Sequence, residues 1–233
     1  TLNTIIQDFV SKKVDLILAN ATPVLQTAAG ATSVIPILGT SVTEYGVALQ
    51  IDDFDGLVGG NISGTSDLAP LDKQAQMVLD WCPNAKKVGL LYSATEANST
   101  YQVKVVKEYL EGKGVTCTEY SFSSSSDLAA VTEKAASESD AIYVPTDNTV
   151  ANSAELVDSI CRAKKVPIIA GEENICKKCG IATLSISYYD LGVTTGKMAA
   201  QVLTGKADIS QMKIANAETQ TAKYNAEICE DLG

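Results

Sequence analysis

Apolar and polar positions alternate along this chain in blocks that have the lengths of strands and helices. Four apolar runs end in loops rich in Asp, Asn, Thr, Ser or Glu, at 14–23 (VDLILANATP), 88–99 (VGLLYSATEANS), 141–148 (AIYVPTDN) and 166–173 (VPIIAGEE). Apolar runs of this length, separated by helix-length segments, are typical of buried strands in a parallel sheet. Ligands of such sheets bind beyond the carboxyl ends of the strands, so the loops predict a binding surface.

The same pattern predicts the order of the elements. Strands are predicted at 14–19, 33–38, 87–92, 115–120, 140–144, 166–170 and 181–186. Helices are predicted at 2–13, from Pro23 onward, and at 70–82, 98–112, 127–137, 148–164 and 190–204, the last with Asp190 as its N-cap. Residues 40–66 are predicted to be mostly loop, with one irregular extended segment in LVGGNISG.

The elements predict an α/β fold made of two lobes, with parallel sheets flanked by helices. A change in composition places a crossing between the lobes near 64–67. The first lobe shows few strands before this crossing, and it begins in a helix that should follow a strand. Either the N-terminus of the first lobe has been removed or this lobe is unusually small, and we expect removal.

Composition and charge exclude several classes of function. The net charge of −10 and the single arginine, Arg162, disfavour nucleic-acid binding, which needs clustered basic side chains. The chain has no histidine, which removes Ser-His-Asp and Cys-His catalysis and leaves zinc only cysteine and carboxylate ligands. No apolar run reaches the roughly 18 residues of a membrane span.

Neither a P-loop nor a GxGxxG motif is present, since the glycine-rich segment 59–64 lacks the spacing and the lysine. We expect no metal, no cofactor and no enzymatic activity.

Two of the six cysteines form a C-K-K-C pair, Cys176 and Cys179. A redox motif would start a helix after a strand, and a zinc site would need two further ligands, so both interpretations are weak. The pair is interpreted as a local disulfide or as free thiols in a surface turn.

The loop after the first strand, Asn20-Ala21-Thr22-Pro23, carries amide and hydroxyl groups to the N-terminus of a helix. Such a site binds a carboxylate without an arginine. The alternative, which the sequence supports equally well, is that Asn20 or Thr22 only caps the helix. Gly64-Thr65-Ser66-Asp67 lies at the proposed crossing and offers hydroxyls to a ligand, or caps the next helix with Ser66 and Asp67.

Acidic loops follow three strands of the second lobe. Glu96 lies in a loop that is longer than a cap requires, where Asn98 is the predicted helix cap. Asp147 directly follows a strand and either pairs with a ligand ammonium group or caps helix 148–164, and Glu172 offers another carboxylate. Hydroxyls, amides and carboxylates together suit a zwitterion such as an amino acid better than a phosphate.

Several motifs, taken in their order along the chain, resemble those of the TrpX-like ABC-transporter substrate-binding proteins. They are NATPVLQTA, GTSDLAPLDKQ, AKKVGLLYSATEANS, PTDNTVANSAELV, GEE and SYYDLGVTTGKMAAQVLTGK. The resemblance covers essentially the whole chain. It implies a type I periplasmic-binding-protein fold with a cleft that closes on its ligand, an extracytoplasmic location and often a lipid anchor.

The resemblance also implies domain boundaries and a set of ligand-binding residues. It implies a first lobe of residues 1–65 plus 188–213, a second lobe of residues 66–187, and a C-terminal tail of residues 214–233 that returns toward the second lobe. The implied ligand shell is Asn20, Ala21, Thr22, Thr65, Ser66, Asp67, Ser93, Glu96, Asn98, Ser99, Thr146, Asp147, Asn148 and Glu172.

The resulting hypothesis is a solute-binding protein that delivers a small amino acid-like ligand, with aromatic amino acids among the candidates, to ABC permease subunits. Membrane contact is expected only through a lipid anchor outside this chain. Asp147, with Glu96 or Glu172, would hold the ammonium group. Tyr92, Tyr143 or Tyr188 either lines the side-chain pocket or packs in the core. One alternative is a ligand-sensing input domain of a receptor or regulator, and a weaker one is an enzyme of the flavodoxin or Rossmann type.

Overall fold

The computed structural model describes residues 1–233. The helices are α1 Leu2–Lys12, α2 Thr22–Ala31, α3 Tyr45–Leu49, α4 Leu71–Trp81, α5 Ala97–Gly112, α6 Leu128–Glu138, α7 Asn148–Asn152, α8 Ala154–Ala163, α9 Glu173–Cys179, α10 Tyr188–Leu203 and α11 Ala226–Leu232, with a 3₁₀ turn at Ile209–Gln211. The strands are β1 Ile17–Asn20, β2 Ile37–Val42, β3 Ile62–Ser66, β4 Lys87–Ser93, β5 Thr116–Phe122, β6 Ala141–Val144, β7 Ile168–Ala170, β8 Ala182–Ile186, β9 Ala215–Asn216 and β10 Gln220–Tyr224.

The chain divides into two compact units. The first unit contains Thr1–Leu68 and Ser187–Thr219, and the second contains Ala69–Ile186 and Gln220–Gly233. The chain therefore passes from one unit to the other three times. No helix is both long enough and apolar enough to cross a membrane.

The first unit is built on a four-stranded parallel sheet in the order β1-β2-β3-β9. Its core packs β1 and β2 side chains such as Ile17 and Ile37 against Leu25 of α2 and Tyr45 of α3. On β2, Leu38 packs instead against Met198 of α10. Helices thus bury the sheet, and the parallel register aligns the carboxyl ends of β1, β2 and β3, with Asn20 opposite Thr40.

The second unit is built on a six-stranded sheet in the order β10-β8-β7-β6-β4-β5. Only β10 runs antiparallel, beside β8. The central strands β4, β6 and β7 are buried along nearly their whole lengths, as their apolar sequences require. The carboxyl ends of β4, β6 and β7 carry Ser93, Thr146 and Glu172 to one edge of the sheet. The α/β fold with parallel sheets flanked by helices is thereby confirmed.

Several predicted elements need correction. Helix 148–164 is interrupted at Ser153 and forms α7 and α8. The region 40–66, predicted to be mostly loop, contains α3 and the regular strand β3. The N-cap of α10 is Ser187, whose hydroxyl accepts a hydrogen bond from the amide of Asp190, so Asp190 lies inside the first turn. The sequence pattern also missed α9, β9, β10 and α11.

The C-K-K-C pair lies in α9 and not in a surface turn. Cys176 and Cys179 are 3% and 2% exposed, and all six cysteines are free thiols. Burial raises the pKa of Cys176 to about 12, a second reason for low reactivity.

We expect a thiol reagent to react with Cys82 and Cys229 first, because these are the only two cysteines that are not buried. The other four should react only when the protein unfolds. Counting modified thiols by mass spectrometry, with and without denaturant, checks this order. Rapid labelling of Cys179 in the native protein would contradict the buried position of α9.

Candidate ligand-binding site

The predicted ligand residues of the first unit lie at the ends of β1 and β3. Asn20 is the exposed last residue of β1, and Thr22 is the buried first residue of α2. Ala21 joins them with φ 83° and ψ 153°, a region that is costly for a residue with a side chain. The side chains of Asn20 and Thr22 do not cap α2, because its N-cap is Ala21, which makes no side-chain cap bond. This helix N-terminus is consequently left without a side-chain acceptor.

Two hydroxyls at the end of β3 are engaged inside the first unit. Thr65 Oγ1 lies 2.8 Å from the hydroxyl of Thr195 on α10 and 3.3 Å from that of Thr40 on β2. Ser66 Oγ donates to the carbonyl of Thr43 at 2.7 Å. Both hydroxyls tie β3 to its neighbours, so Thr65 and Ser66 hold the strand end in place.

Asp67 differs from these hydroxyls because one of its oxygens is unused. The carboxyl group is buried, and its Oδ2 accepts a hydrogen bond of 3.0 Å from the phenol of Tyr188. Its Oδ1 is also buried and has no hydrogen-bond partner. Burial raises the pKa of Asp67 above its usual value, and the neighbouring Thr43 side chain, the phenol of Tyr188 and the backbone amide of Asp67 offset the rise only in part. The residue that follows β3 therefore presents an unsatisfied acceptor.

In the second unit, the predicted ligand residues other than Glu172 form one hydrogen-bonded cluster at the ends of β4 and β6. Asp147 Oδ2 accepts hydrogen bonds of 2.7 Å from the amide of Ser93 and from the hydroxyl of Ser99. Its Oδ1 accepts from the amide of Val150 at 2.9 Å and so caps α7. Burial and the nearby charge of Glu96 raise the pKa of Asp147.

Glu96 caps the same short helix from the neighbouring strand end. Its Oε2 accepts hydrogen bonds from the amide and the side-chain nitrogen of Asn148, at 3.0 and 2.7 Å. Its Oε1 accepts from the amide and the hydroxyl of Thr149, at 2.9 and 2.8 Å. Glu96 is also the backbone N-cap of α5, where the sequence had predicted Asn98.

Glu172 is the N-cap of α9, and its carboxylate accepts hydrogen bonds from the amides of Asn174 and Ile175. Asp147, Glu96 and Glu172, the carboxylates predicted to hold an ammonium group, thus each bind the N-terminus of a helix.

Asn98 carries a second unsatisfied acceptor. Its side-chain nitrogen donates to the carbonyl of Thr146 at 2.9 Å, whereas its buried Oδ1 has no partner. Of the four buried side-chain oxygens without a partner in the molecule, two belong to predicted ligand residues, Asp67 and Asn98. The remaining two belong to Thr132 and Thr183.

The sequence did not identify the glutamines that support this cluster. Gln102 is buried in α5 and bonds both the amide and the carbonyl of Thr146, which fixes the loop after β6. Gln74, in α4, bonds the carbonyls of Gly171 and Leu184 and accepts from the phenol of Tyr143. A polar residue on the apolar face of a helix was the available signal, since Gln74 lies between Leu71 and Val78 on the buried face of α4.

Of the three tyrosines considered for a side-chain pocket, Tyr143 lies in the core and Tyr92 bonds Glu119 at 2.7 Å. Tyr188 contacts a predicted ligand residue, Asp67. Arg162, the single arginine, is paired with Asp158 and Asp231 at the surface of α8. Arg162 is therefore occupied at a surface of the second unit.

The whole chain matches a family model described as ABC transporter substrate binding protein, over residues 1–233. It is 37% identical over 207 residues to a curated tyrosine-binding protein of Clostridioides difficile strain R20291. That match covers 89% of this chain and 60% of the relative, so the chain spans less than two thirds of that protein.

Two solved structures are similar over the full length of the chain. An ABC domain from Streptococcus pneumonia in complex with L-Trp gives a TM-score of 0.94 at 34% identity, with 100% of this chain and 80% of that chain covered. The ligand-free, open structure of a substrate-binding protein with adhesive properties from Clostridium difficile gives a TM-score of 0.71 at 36% identity, with 100% and 78% covered.

These similarities confirm the resemblance that the sequence motifs indicated. The structural neighbours are type I periplasmic binding proteins, which confirms that fold as well. Because the family model matches every residue from 1 to 233, this chain belongs to the ABC transporter substrate-binding protein family.

Proposed function

We propose that this chain is the ligand-binding part of an ABC importer and that it captures an aromatic amino acid. The observation that supports this most is the full-length similarity to a structure in complex with L-Trp, at a TM-score of 0.94. The similarity to a tyrosine-binding protein supports the same class of ligand. We further propose that the protein works outside the cytoplasm, delivers its ligand to permease subunits, is held at the membrane by a lipid anchor outside this chain, and acts by binding without catalysis.

The chemistry of the strand ends suits a zwitterion. Since Arg162 is engaged at the surface, the ligand carboxylate would be held by backbone amides and hydroxyls. The N-terminus of α2, at Ala21 and Thr22, offers the positive end of a helix dipole without a competing side-chain cap. The predicted ligand residues, from Asn20 to Glu172, remain our proposed shell, with the helix-capping residues acting mainly by positioning their neighbours.

A thermal-shift series tests this function. L-Trp, L-Tyr and L-Phe should each raise the melting temperature of the full-length protein, because a ligand at 100 times its Kd stabilises the native state by about 2.7 kcal/mol. Indole-3-propionate, which lacks the ammonium group, and tryptamine, which lacks the carboxylate, should produce much smaller shifts. A protein that responds to sugars, or to none of the twenty amino acids, would not have the proposed function.

A further inference from the structure

We propose that Asp67 binds the primary ammonium group of the ligand, and that binding displaces a proton from its carboxyl group to the solvent. This assignment rests on the proposed amino-acid ligand. It moves the ammonium site away from Asp147, Glu96 and Glu172, where the sequence pattern had placed it.

The first reason is the difference in hydrogen bonding among the four carboxyl groups. Both carboxylate oxygens of Asp147, Glu96 and Glu172 already accept hydrogen bonds from backbone amides: those of Glu96 and Glu172 come from helix N-termini, and those of Asp147 come from Val150 at the start of α7 and from Ser93 at the end of β4. An ammonium group that bound there would have to displace those amides, each of which would lose a bond to a charged acceptor. Asp67 Oδ1 is buried and has no partner, so a donor can be added there at no such loss.

The second reason is charge. Burial without a cation disfavours an ionised carboxylate, so the group keeps its proton to a higher pH than an exposed aspartate does. Burial raises the pKa of Asp67, as this argument requires. The titratable side chains that face Asp67 are the phenols of Tyr188, on α10, and Tyr45, on α3, whose own pKa is raised by burial and by the charge of Asp67. Neither phenol supplies a cation, so an ammonium group has no protein competitor.

The third reason is position. Asp67 lies just before the boundary between the units at Leu68 and Ala69, and Tyr188 lies just after the boundary at Ile186 and Ser187. Asp67 and Tyr188 therefore lie where the chain leaves the first unit and where it returns to it.

The proton balance follows from these charges. At a pH below the raised pKa of Asp67, the neutral carboxyl group of the free protein meets the ammonium ion, the pair becomes carboxylate and ammonium, and one proton leaves to the solvent. Affinity for an amino acid should therefore rise with pH at acidic pH and become constant above the raised pKa of Asp67 in the free protein.

The test compares Asp67→Asn with Asp190→Asn, which removes an exposed carboxylate from the same unit. By calorimetry with L-Trp, Asp67→Asn should raise Kd at least about 30-fold, the loss typical of truncating a buried charge partner. Asp190→Asn should leave Kd within about threefold. For indole-3-propionate, which has no ammonium group, Asp67→Asn should leave Kd nearly unchanged.

Two further measurements separate this role from a structural one. In buffers of different ionisation enthalpy at acidic pH, the wild-type protein should release close to one proton per ligand, and Asp67→Asn none. Without ligand, Asp67→Asn should melt at a higher temperature than wild type near pH 8. This advantage should shrink as the pH falls, since the buried charge that the variant lacks is then neutralised in wild type as well.

Failure of the Asp67 assignment and failure of the proposed function give different results. Equal affinity of wild type and Asp67→Asn for L-Trp, or a loss that is equally large for indole-3-propionate, overturns the assignment of Asp67 and leaves the proposed function standing. A wild-type protein that binds no amino acid overturns the proposed function, and with it this assignment.

Discussion

Replacing Glu96 by alanine is expected to destabilise the protein by about 3 kcal/mol or more. The buried carboxylate accepts four hydrogen bonds of 3.0 Å or less from Asn148 and Thr149, two of them from the first amides of α7. Bonds to a charged acceptor contribute about 1.5 to 3 kcal/mol each, and the loss is largest where donors stay buried without a partner. The helix N-terminus also loses the negative charge that its dipole favours.

Chemical denaturation measures this difference, and Glu155→Ala is the matched control. Glu155 lies in α8 of the same unit, 3.9 Å from Lys178, with its side chain 86% exposed. A surface pair of this kind contributes at most about 1 kcal/mol, so the control should unfold almost as wild type does. If Glu96→Ala were equally mild, the carboxylate would not be what holds α7 in place.

The sequence predicted the strands that are apolar along their whole lengths and missed those that are not. The sequence pattern predicted β4 and β6 because apolar side chains such as Val, Leu, Ile and Ala on both faces of a strand indicate that both faces are buried. β3, with the sequence ISGTS, is just as fully buried but contains only one large apolar residue. It is buried because it lies between β2 and β9 in the sheet, and its polar groups are paired with Tyr45 and Thr195. These contacts are distant in sequence, so no local pattern reveals them.

The loops at the strand ends were predicted because each follows a strand that is apolar along its length. The roles of the side chains in these loops were not predicted. Asp147 and Glu96 are 51 positions apart, and only the pairing of β4 with β6 brings their loops together. Acidic side chains after a strand fit either a helix cap or a ligand ammonium group. Neighbours distant in sequence decide which carboxylate oxygens lack a hydrogen-bond donor. Among the buried carboxylates at the strand ends, Asp67 has such an oxygen.

The unused oxygen of Asp67 depends on how β3 is held. Its carboxyl group follows Ser66, whose hydroxyl is bonded to Thr43, and Thr65, whose carbonyl accepts a hydrogen bond of 3.0 Å from the phenol of Tyr45. The same phenol lies against Gly39 and Gly64, which are paired in the parallel register of β2 and β3. Two glycines thus make room for the tyrosine that fixes the end of the strand.

Gly64→Ala is therefore expected to destabilise the protein by about 3 kcal/mol or more. Gly64 has φ 147°, which costs a residue with a side chain about 1 to 3 kcal/mol. An added β-carbon would also overlap the carbonyl oxygen of Gly39 and the phenol oxygen of Tyr45, and overpacking of this kind adds about 1 to 3 kcal/mol.

Gly30→Ala, in α2 of the same unit, has nothing within 4 Å of the new carbon. That control should stabilise the protein by about 0.5 to 1 kcal/mol, because alanine favours a helix. A lower unfolding midpoint for Gly64→Ala and a higher one for Gly30→Ala would show that the close packing of β2, β3 and Tyr45 leaves no room for a side chain at position 64. A Gly64→Ala protein as stable as wild type would mean that Tyr45 can move away from the end of β3.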